Sequence, residues 1–267
     1  MRRLELQTEK ILAHVEDGVG WITFNQPAKR NAVSLAMWQA VPRIIDDFAS
    51  ADDVRVVVMT GAGDKAFVSG ADISEFEELR STTEQIEFYD AATSASSAAL
   101  RSLEKPLIAM IRGFCVGGGM AIALAADMRI SADDGQFGVP AAKLGLGYGY
   151  SGIKELMNLV GPSYAKEIFF TGQRFSAIEA EKMGLVNRVV PVDELEPTVT
   201  KYARTIADNA PLTVKAAKAA VNEGTKNPEE RDLDRVAEMV ETCFKSEDYK
   251  EGRRAFMEKR KPRFQGR

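Results

Sequence analysis

Few residues in this 267-residue chain are of types suited to nucleophilic or metal chemistry. His14 is the sole histidine, and Cys115 and Cys243 are the only cysteines, so one chain cannot supply a four-ligand His/Cys zinc site. No Gly-x-Ser-x-Gly elbow and no Walker sequence occurs, and His14, isolated near the N-terminus, reads as a structural or exposed residue. What the chain offers instead is glycine. Gly61-Ala62-Gly63, Gly117-Gly118-Gly119 and the run Gly145, Gly147, Gly149, Gly152 are the three clusters. The last spells a literal dinucleotide fingerprint, Gly147-Tyr148-Gly149-Tyr150-Ser151-Gly152, but Pro140-Ala141-Ala142-Lys143 precedes it where a strand is required, which marks it as a decoy. Gly117-Gly118-Gly119 opens Met120-Ala121-Ile122-Ala123-Leu124-Ala125, small and apolar on every face, as in a buried helix. Unpaired N–H groups at such a helix start favour a developing negative charge, and glycine lets a ligand approach the backbone. Tight packing of a central helix would use the same glycines.

The elements that would position these glycines alternate between strand and helix. Ile11–Val15 and Trp21–Phe24 flank Glu16-Asp17-Gly18 as a β-hairpin, and Ser34 caps a helix to about Phe48. Val54–Thr60 and Pro106–Ile111 read as buried, parallel strands, separated by a helical stretch from Ser74 to Ser102. Met128–Ser131 predicts another strand. Helical patterning follows over Gly152–Leu159 and Ser163–Phe170, then a capped helix from Ser176 and a short strand over Val186–Val190. From Val192 only helices are expected, three or four of them, punctuated by Pro211, Gly224 and Pro228.

Composition narrows the function classes. A formal charge of −4 with 28% charged residues lacks the basic excess that nucleic acid demands. No eighteen-residue apolar run and no signal-peptide pattern is seen, so the expected location is the cytoplasm, away from membranes. Two cysteines suit a reducing compartment.

The ordered pieces along nearly the whole chain resemble the crotonase (enoyl-CoA hydratase/isomerase) superfamily. They are Asn25-Gln26-Pro27 with Lys29-Arg30-Asn31-Ala32; Gly61 through Lys65-Ala66-Phe67-Val68-Ser69-Gly70-Ala71-Asp72-Ile73; and Gly113-Phe114-Cys115-Val116-Gly117-Gly118-Gly119. Asp127-Met128-Arg129-Ile130, Phe137-Gly138-Val139-Pro140, Thr171-Gly172, Ala180 with Gly184-Leu185-Val186, and Ala255-Phe256-Met257-Glu258-Lys259-Arg260-Lys261-Pro262 continue the series. The resemblance implies an α/β crotonase (ClpP-like) spiral of ββα units over residues 1–191, the acyl-CoA-binding core, and a helical trimerisation region over 192–267. It implies a homotrimer or dimer of trimers. The coenzyme A thioester would be substrate, with no separate cofactor and no metal. Its thioester oxygen would lie between the N–H groups of Ala71 and Gly118, with Gly70 permitting the bend and Asp72 capping a helix from Ile73. Lys29 and Arg30 would lie at the nucleotide end and Lys65, Ala66 and Phe67 along the adenine and pantetheine. Phe256 and Lys259 would reach in from a neighbouring subunit. Solvated surface charge is the competing reading for each cation, and an exposed basic tail for Lys259–Arg263.

The chain also departs from the family. Hydratases of this group use two glutamates for proton transfer, and the matching positions here are Ala121 and Ala141. Neither methyl group can move a proton. The stretch around Gly145-Leu146-Gly147-Tyr148 is similar to that of the family's methylmalonyl-CoA decarboxylases, in which a tyrosine lies beside the substrate carboxylate, although the histidine they carry at the position of Ala71 is absent. Tyr148 is therefore a candidate catalytic residue. Alternatively, Tyr148 and Tyr150 only wall an acyl pocket. Three functions stay open: an enoyl-CoA hydratase/isomerase family enzyme with doubtful hydration, a decarboxylase-like enzyme, and a non-catalytic acyl-CoA binding protein. A substitute base from Glu75, Glu77, Glu78, Glu87 or Tyr89 is the remaining route to hydration. Those carboxylates otherwise form a solvated helix face.

Overall fold

The computed structural model describes residues 1–75, 79 and 81–267. Strands β2 (Ile11–Glu16) and β3 (Val19–Phe24) form the expected hairpin. Asp17 and Gly18 both have positive φ, 50° and 80°, as a tight turn matching strand twist requires. Helix α1 (Leu35–Ser50) follows, with the Ser34 hydroxyl accepting from the Met37 N–H. β4 (Val56–Gly61), β6 (Leu107–Ile111), β8 (Met128–Ala132) and β11 (Arg188–Val190) then add in parallel, giving a seven-stranded sheet in the order β1-β2-β3-β4-β6-β8-β11, with β1 spanning Arg2–Arg3.

A second sheet accompanies the first. After β4, β6 and β8 the chain steps sideways into β5 (Ala66–Val68), β7 (Phe114–Val116) and β9 (Gln136–Gly138), which pair in parallel, and β10 (Phe175–Ser176) closes the edge antiparallel. Each long strand, short strand and following helix make one ββα turn of the spiral. The helices are α2 (Thr83–Ser102), α3 (Gly118–Leu124) and the short α4 (Ala141–Leu144), followed by α5 (Tyr150–Thr171) and α6 (Ala177–Lys182). The two helical segments expected around Gly161 appear as one element broken there, where Gly161 takes φ 75° before Pro162.

Both faces of the large sheet are covered. Val57 and Met59 of β4 face the principal core with Phe24, Phe48, Phe67, Phe137 and Leu156. Val56 and Val58 face the other way, onto Leu195, Val199 and Ala203 of α7 (Leu195–Ala207). The first helix beyond residue 191 thus seals the spiral. α8 (Pro211–Gly224), α9 (Leu233–Lys245) and α10 (Glu247–Met257) complete a C-terminal region without strands. No helix among the described residues is long and apolar enough to cross a membrane.

Candidate active site

β5 and β7 are parallel neighbours, so the segments leaving their C-terminal ends emerge side by side. One is Ser69-Gly70-Ala71, the other Gly117-Gly118. A Cβ built on Gly118 would lie 3.5 Å from the Ala71 nitrogen. Gly70 (φ 123°) and Gly117 (φ 55°) take backbone conformations that side-chain-bearing residues avoid, and they turn the two segments toward each other. Val33 bridges Ala71 in parallel, donating to the Gly70 carbonyl at 2.8 Å and accepting from the Asp72 N–H at 2.9 Å. In a parallel bridge of that pattern the middle residue points its own N–H away from the partner. Among the described residues, the N–H groups of Ala71 and Gly118 have no backbone or side-chain acceptor. Two free donors, one opening a helix, thus lie on adjacent segments.

Asp72 behaves as expected and also does more. Its Oδ1 accepts from the Ser74 N–H and hydroxyl at 3.2 and 2.6 Å, capping the single 3-10 turn Ile73–Glu75, while Oδ2 takes the Lys29 ammonium at 2.8 Å. Burial pushes the Asp72 carboxyl up, but the hydrogen bonds from Lys29 and Ser74 outweigh it and hold the pKa below the usual range. Lys29 also donates to the Ser74 hydroxyl at 2.7 Å. Its ammonium, though half-exposed, is thus engaged by groups of its own chain.

Arg30, Lys65 and Ala66 come together around a cavity of about 260 Å³ with Pro27, Asn31 and Asp64. The Arg30 guanidinium carbon lies 4.9 Å from the centre of the Phe114 ring, and that of Arg174 lies 5.3 Å from the same ring. Arg174 was not legible as a member of this group, because it sits sixty positions beyond Phe114 and joins it only through the pairing of β10, β9 and β7. The Phe67 side chain is fully buried, edge-on to Phe24 with ring centres 6.0 Å apart, so what this residue can present along a ligand is backbone. Asn31, also fully buried, was missed too. Its amide donates to the Ala62 and Ala66 carbonyls at 2.9 and 2.7 Å, fixing the Lys29–Arg30 turn onto the spiral.

Ala121 lies exposed on the first turn of α3, and Ala141 is buried at the start of α4. Gly145, Gly147 and Gly149 lie on the loop from α4 into α5 and Gly152 in the first turn of α5, with a helix and not a strand directly before them, as the decoy reading expects. Within it Tyr148 is half-buried against Phe169, ring centres 5.2 Å apart, and burial raises its phenol pKa, keeping it a neutral O–H. Tyr150 is exposed. The proposed substitute bases fare differently. Tyr89 is buried and accepts from the Trp38 indole N–H at 3.2 Å. Glu75 accepts from the Leu35 N–H at 2.9 Å and the Lys10 ammonium at 3.2 Å, which ties it to the start of α1. Glu87 is exposed on α2, and Glu77 and Glu78 lie outside the described residues. His14 stacks on Trp21, ring centres 6.3 Å apart, and burial lowers its pKa.

Phe256 and Lys259 are exposed at the end of α10. Phe256 lines an apolar groove of about 840 Å³ with Ala216, Val240, Phe244, Tyr249 and Met257, and no residue of the 27–71 segment enters it. The basic tail is not loose: Glu251 binds the Arg260 guanidinium at 2.6 and 2.9 Å and accepts from the Arg263 N–H at 3.0 Å.

Sequence and structure comparisons define the class. The enoyl-CoA hydratase/isomerase family profile matches residues 14–267, and the chain belongs to that family. It is 38% identical over 256 residues to the short-chain-enoyl-CoA hydratase of Clostridium acetobutylicum, covering 96% of this chain and 97% of that protein. It is equally 38% identical, over 260 residues, to the crotonyl-CoA hydratase of Syntrophomonas wolfei, covering 96% of this chain and 98% of the relative. Among solved structures, an enoyl-CoA hydratase/carnithine racemase from Magnetospirillum magneticum superposes with a TM-score of 0.90 at 34% identity, covering 98% of this chain and 97% of that one. The fold is therefore the crotonase fold, and the chain is an acyl-CoA enzyme by family.

Proposed function

We propose that this chain binds an acyl-CoA thioester and stabilises its enolate between the N–H groups of Ala71 and Gly118. The observation that carries this is the adjacency of two free donors, on segments held by Val33 and by glycine-permitted turns. As the α-carbon loses a proton or a carboxylate, its electron pair moves into the C=C bond of the enolate and the carbonyl oxygen gains charge. Preorganised donors meet that charge at no cost in reorganisation, and each contributes about 3 kcal/mol. Arg30 and Lys65, joined by Arg174, supply positive charge for the phosphates. Ala66 adds backbone along the ligand. Neighbouring copies in a trimer or dimer of trimers would cover the groove that Phe256 lines, which leaves Phe244, Phe256, Met257 and Val221 exposed in the single chain.

Relatives are named as hydratases of enoyl thioesters, yet the methyl side chains of Ala121 and Ala141 cannot transfer a proton. Loss of CO2 from a malonyl-type thioester needs the donors and no general base. The second reading is favoured by Tyr148, whose neutral hydroxyl has no hydrogen-bond partner among the described residues. It would hold the substrate carboxylate. The C–C bond then breaks, CO2 leaves with the enolate retaining the electron pair, and solvent supplies the proton.

Incubating acyl-CoA thioesters with the protein in D2O, with mass spectrometry of the products, tests the reading. α-Deuteration or CO2 loss from at least one thioester is the expected result. Binding of thioesters without either change makes the chain a non-catalytic acyl-CoA binder, and absence of binding overturns the proposal.

A further inference from the structure

The loop Pro27–Val33 grips the segment Ser69–Ser74 through three backbone hydrogen bonds and through the Lys29 side chain, with the Ser69 hydroxyl donating to the Lys29 carbonyl at 3.4 Å besides. The Ser69 N–H donates to the Arg30 carbonyl at 3.1 Å, Val33 brackets Ala71 on both sides, and Lys29 reaches across to Asp72 and Ser74. The first three contacts are backbone and would form with any side chains. Lys29 is different. It is half-exposed, at 48%, while the Asp72 carboxylate beside it is 3% exposed. Among the described residues, the buried carboxylate adjoining Ala71 has the Lys29 ammonium as its one ion-pair partner, and a buried charge whose partner is removed forces its surroundings to rearrange. The residue next in line is Ala71, whose N–H lies in the Gly70–Ala71 peptide plane and is joined to Asp72 by the backbone torsions of Ala71, so a shift of Asp72 is transmitted to it.

We infer that Lys29 is a positioning residue: through Asp72 it fixes the direction of the Ala71 N–H, and it does not serve as a contact for the nucleotide of coenzyme A. The inference rests on the reading of Ala71 and Gly118 as the donors to a thioester oxygen. The division of labour within Lys29-Arg30 follows from geometry. Arg30, in left-handed conformation at φ 53°, turns its guanidinium outward onto Phe114, while Lys29 turns inward to Asp72. Adjacent cations thus act on opposite sides of one turn, one toward the nucleotide and one toward the reacting carbonyl.

The two roles separate experimentally because free coenzyme A has the nucleotide and no carbonyl. Calorimetry would compare coenzyme A with butyryl-CoA on the wild type, Lys29→Met, Lys29→Arg and Asp72→Asn. NMR of butyryl-CoA labelled with 13C at the thioester carbonyl would report polarisation of the bound C=O. Lys29→Met is expected to weaken butyryl-CoA about tenfold, a fraction of the loss on deleting an oxyanion donor, with coenzyme A affinity changed less than about twofold. The bound carbonyl shift should move back toward its value in water. Lys29→Arg should restore both, and Asp72→Asn should reproduce the selective loss in smaller degree. Equal weakening of both ligands, or of neither, overturns the inference. Should Lys29→Met fail to fold, as judged by its thermal melt, Asp72→Asn decides: a selective loss supports the inference and an unchanged preference overturns it. A wild type with neither a thioester preference nor a carbonyl shift defeats the reading of the Ala71–Gly118 pair itself, and the inference with it.

Discussion

Arg129 lies buried beneath α3 with its Nη1 2.6 Å from the carbonyl oxygen of Ala126. The same guanidinium donates to the carbonyls of Ala123 at 3.4 Å and Leu185 at 2.7 Å. It closes the C-terminal end of the helix whose N-terminal end is Gly118. Among the described residues this buried cation has no ion pair; carbonyls at the end of α3 and in the turn after α6 satisfy it, with the Asp127 carboxylate adding charge from a distance.

Replacing that side chain strands the Ala126 and Leu185 carbonyls in the core, whereas the Ala123 carbonyl keeps the Ala126 N–H. Arg129→Met should destabilise the fold by about 3 kcal/mol, the cost of leaving buried acceptors unmade. A denaturant titration with unchanged slope measures it. A variant as stable as the wild type would show that water fills the space.

Ala121 and Ala141 differ in what they tolerate. Glutamate at exposed position 121 should leave stability within about 0.5 kcal/mol, as surface substitutions do. Glutamate at buried position 141 should cost roughly 2 kcal/mol or more, because a carboxyl enters an apolar site. Crotonyl-CoA hydration, followed by loss of the enoyl thioester absorbance, should be slow in the wild type and rise only when both are introduced. Brisk hydration by the unmodified chain would assign the base to another residue.

Tyr148→Phe removes an oxygen and leaves the ring against Phe169. Thioester affinity should stay within about twofold, while turnover of whatever substrate the D2O screen identifies should fall on the order of tenfold if the hydroxyl holds a carboxylate. Unchanged turnover would leave Tyr148 only a packing role.

The C-terminal strap should loosen in acid. Glu251 is held at about 2 by the Arg260 side chain and the Arg263 N–H. Its folded pKa lies below the unfolded carboxylate value near 4.3, so the stabilisation is complete above about pH 4.3 and is lost as pH falls through about 2. Hydrogen exchange at the Arg263 amide, compared between pH 5 and pH 2 after correction for intrinsic rates, should show protection fading. Asp248 holds the next turn of the strap by accepting from the Gln265 and Gly266 N–H groups, both at 2.7 Å. Glu251→Gln should abolish the pH dependence of Arg263 protection.

The long elements were legible because each carries its own signal. Val54–Thr60 is β-branched and apolar throughout, Ser34 and Ser176 are caps with the right spacing to the next backbone N–H, and Asp17-Gly18 specifies a tight turn. The glycines of the site, like the alanines at 121 and 141, are properties of residue type and order, and it was the ordered glycine-containing motifs that carried the resemblance to the family. The second sheet was not legible in the chain's own pattern, since β5, β7, β9 and β10 are two or three residues long and too short to display a period of two. Yet the pairing of β5 with β7 is what brings Ala71 beside Gly118. Side-chain fates were decided at the same level: Phe67 turned into the core, Lys29 committed to Asp72, Arg174 delivered to Phe114, Tyr89 placed against Trp38. Residue type fixes what a group can do, whereas burial and partners at long sequence separation fix whether it is free to do it.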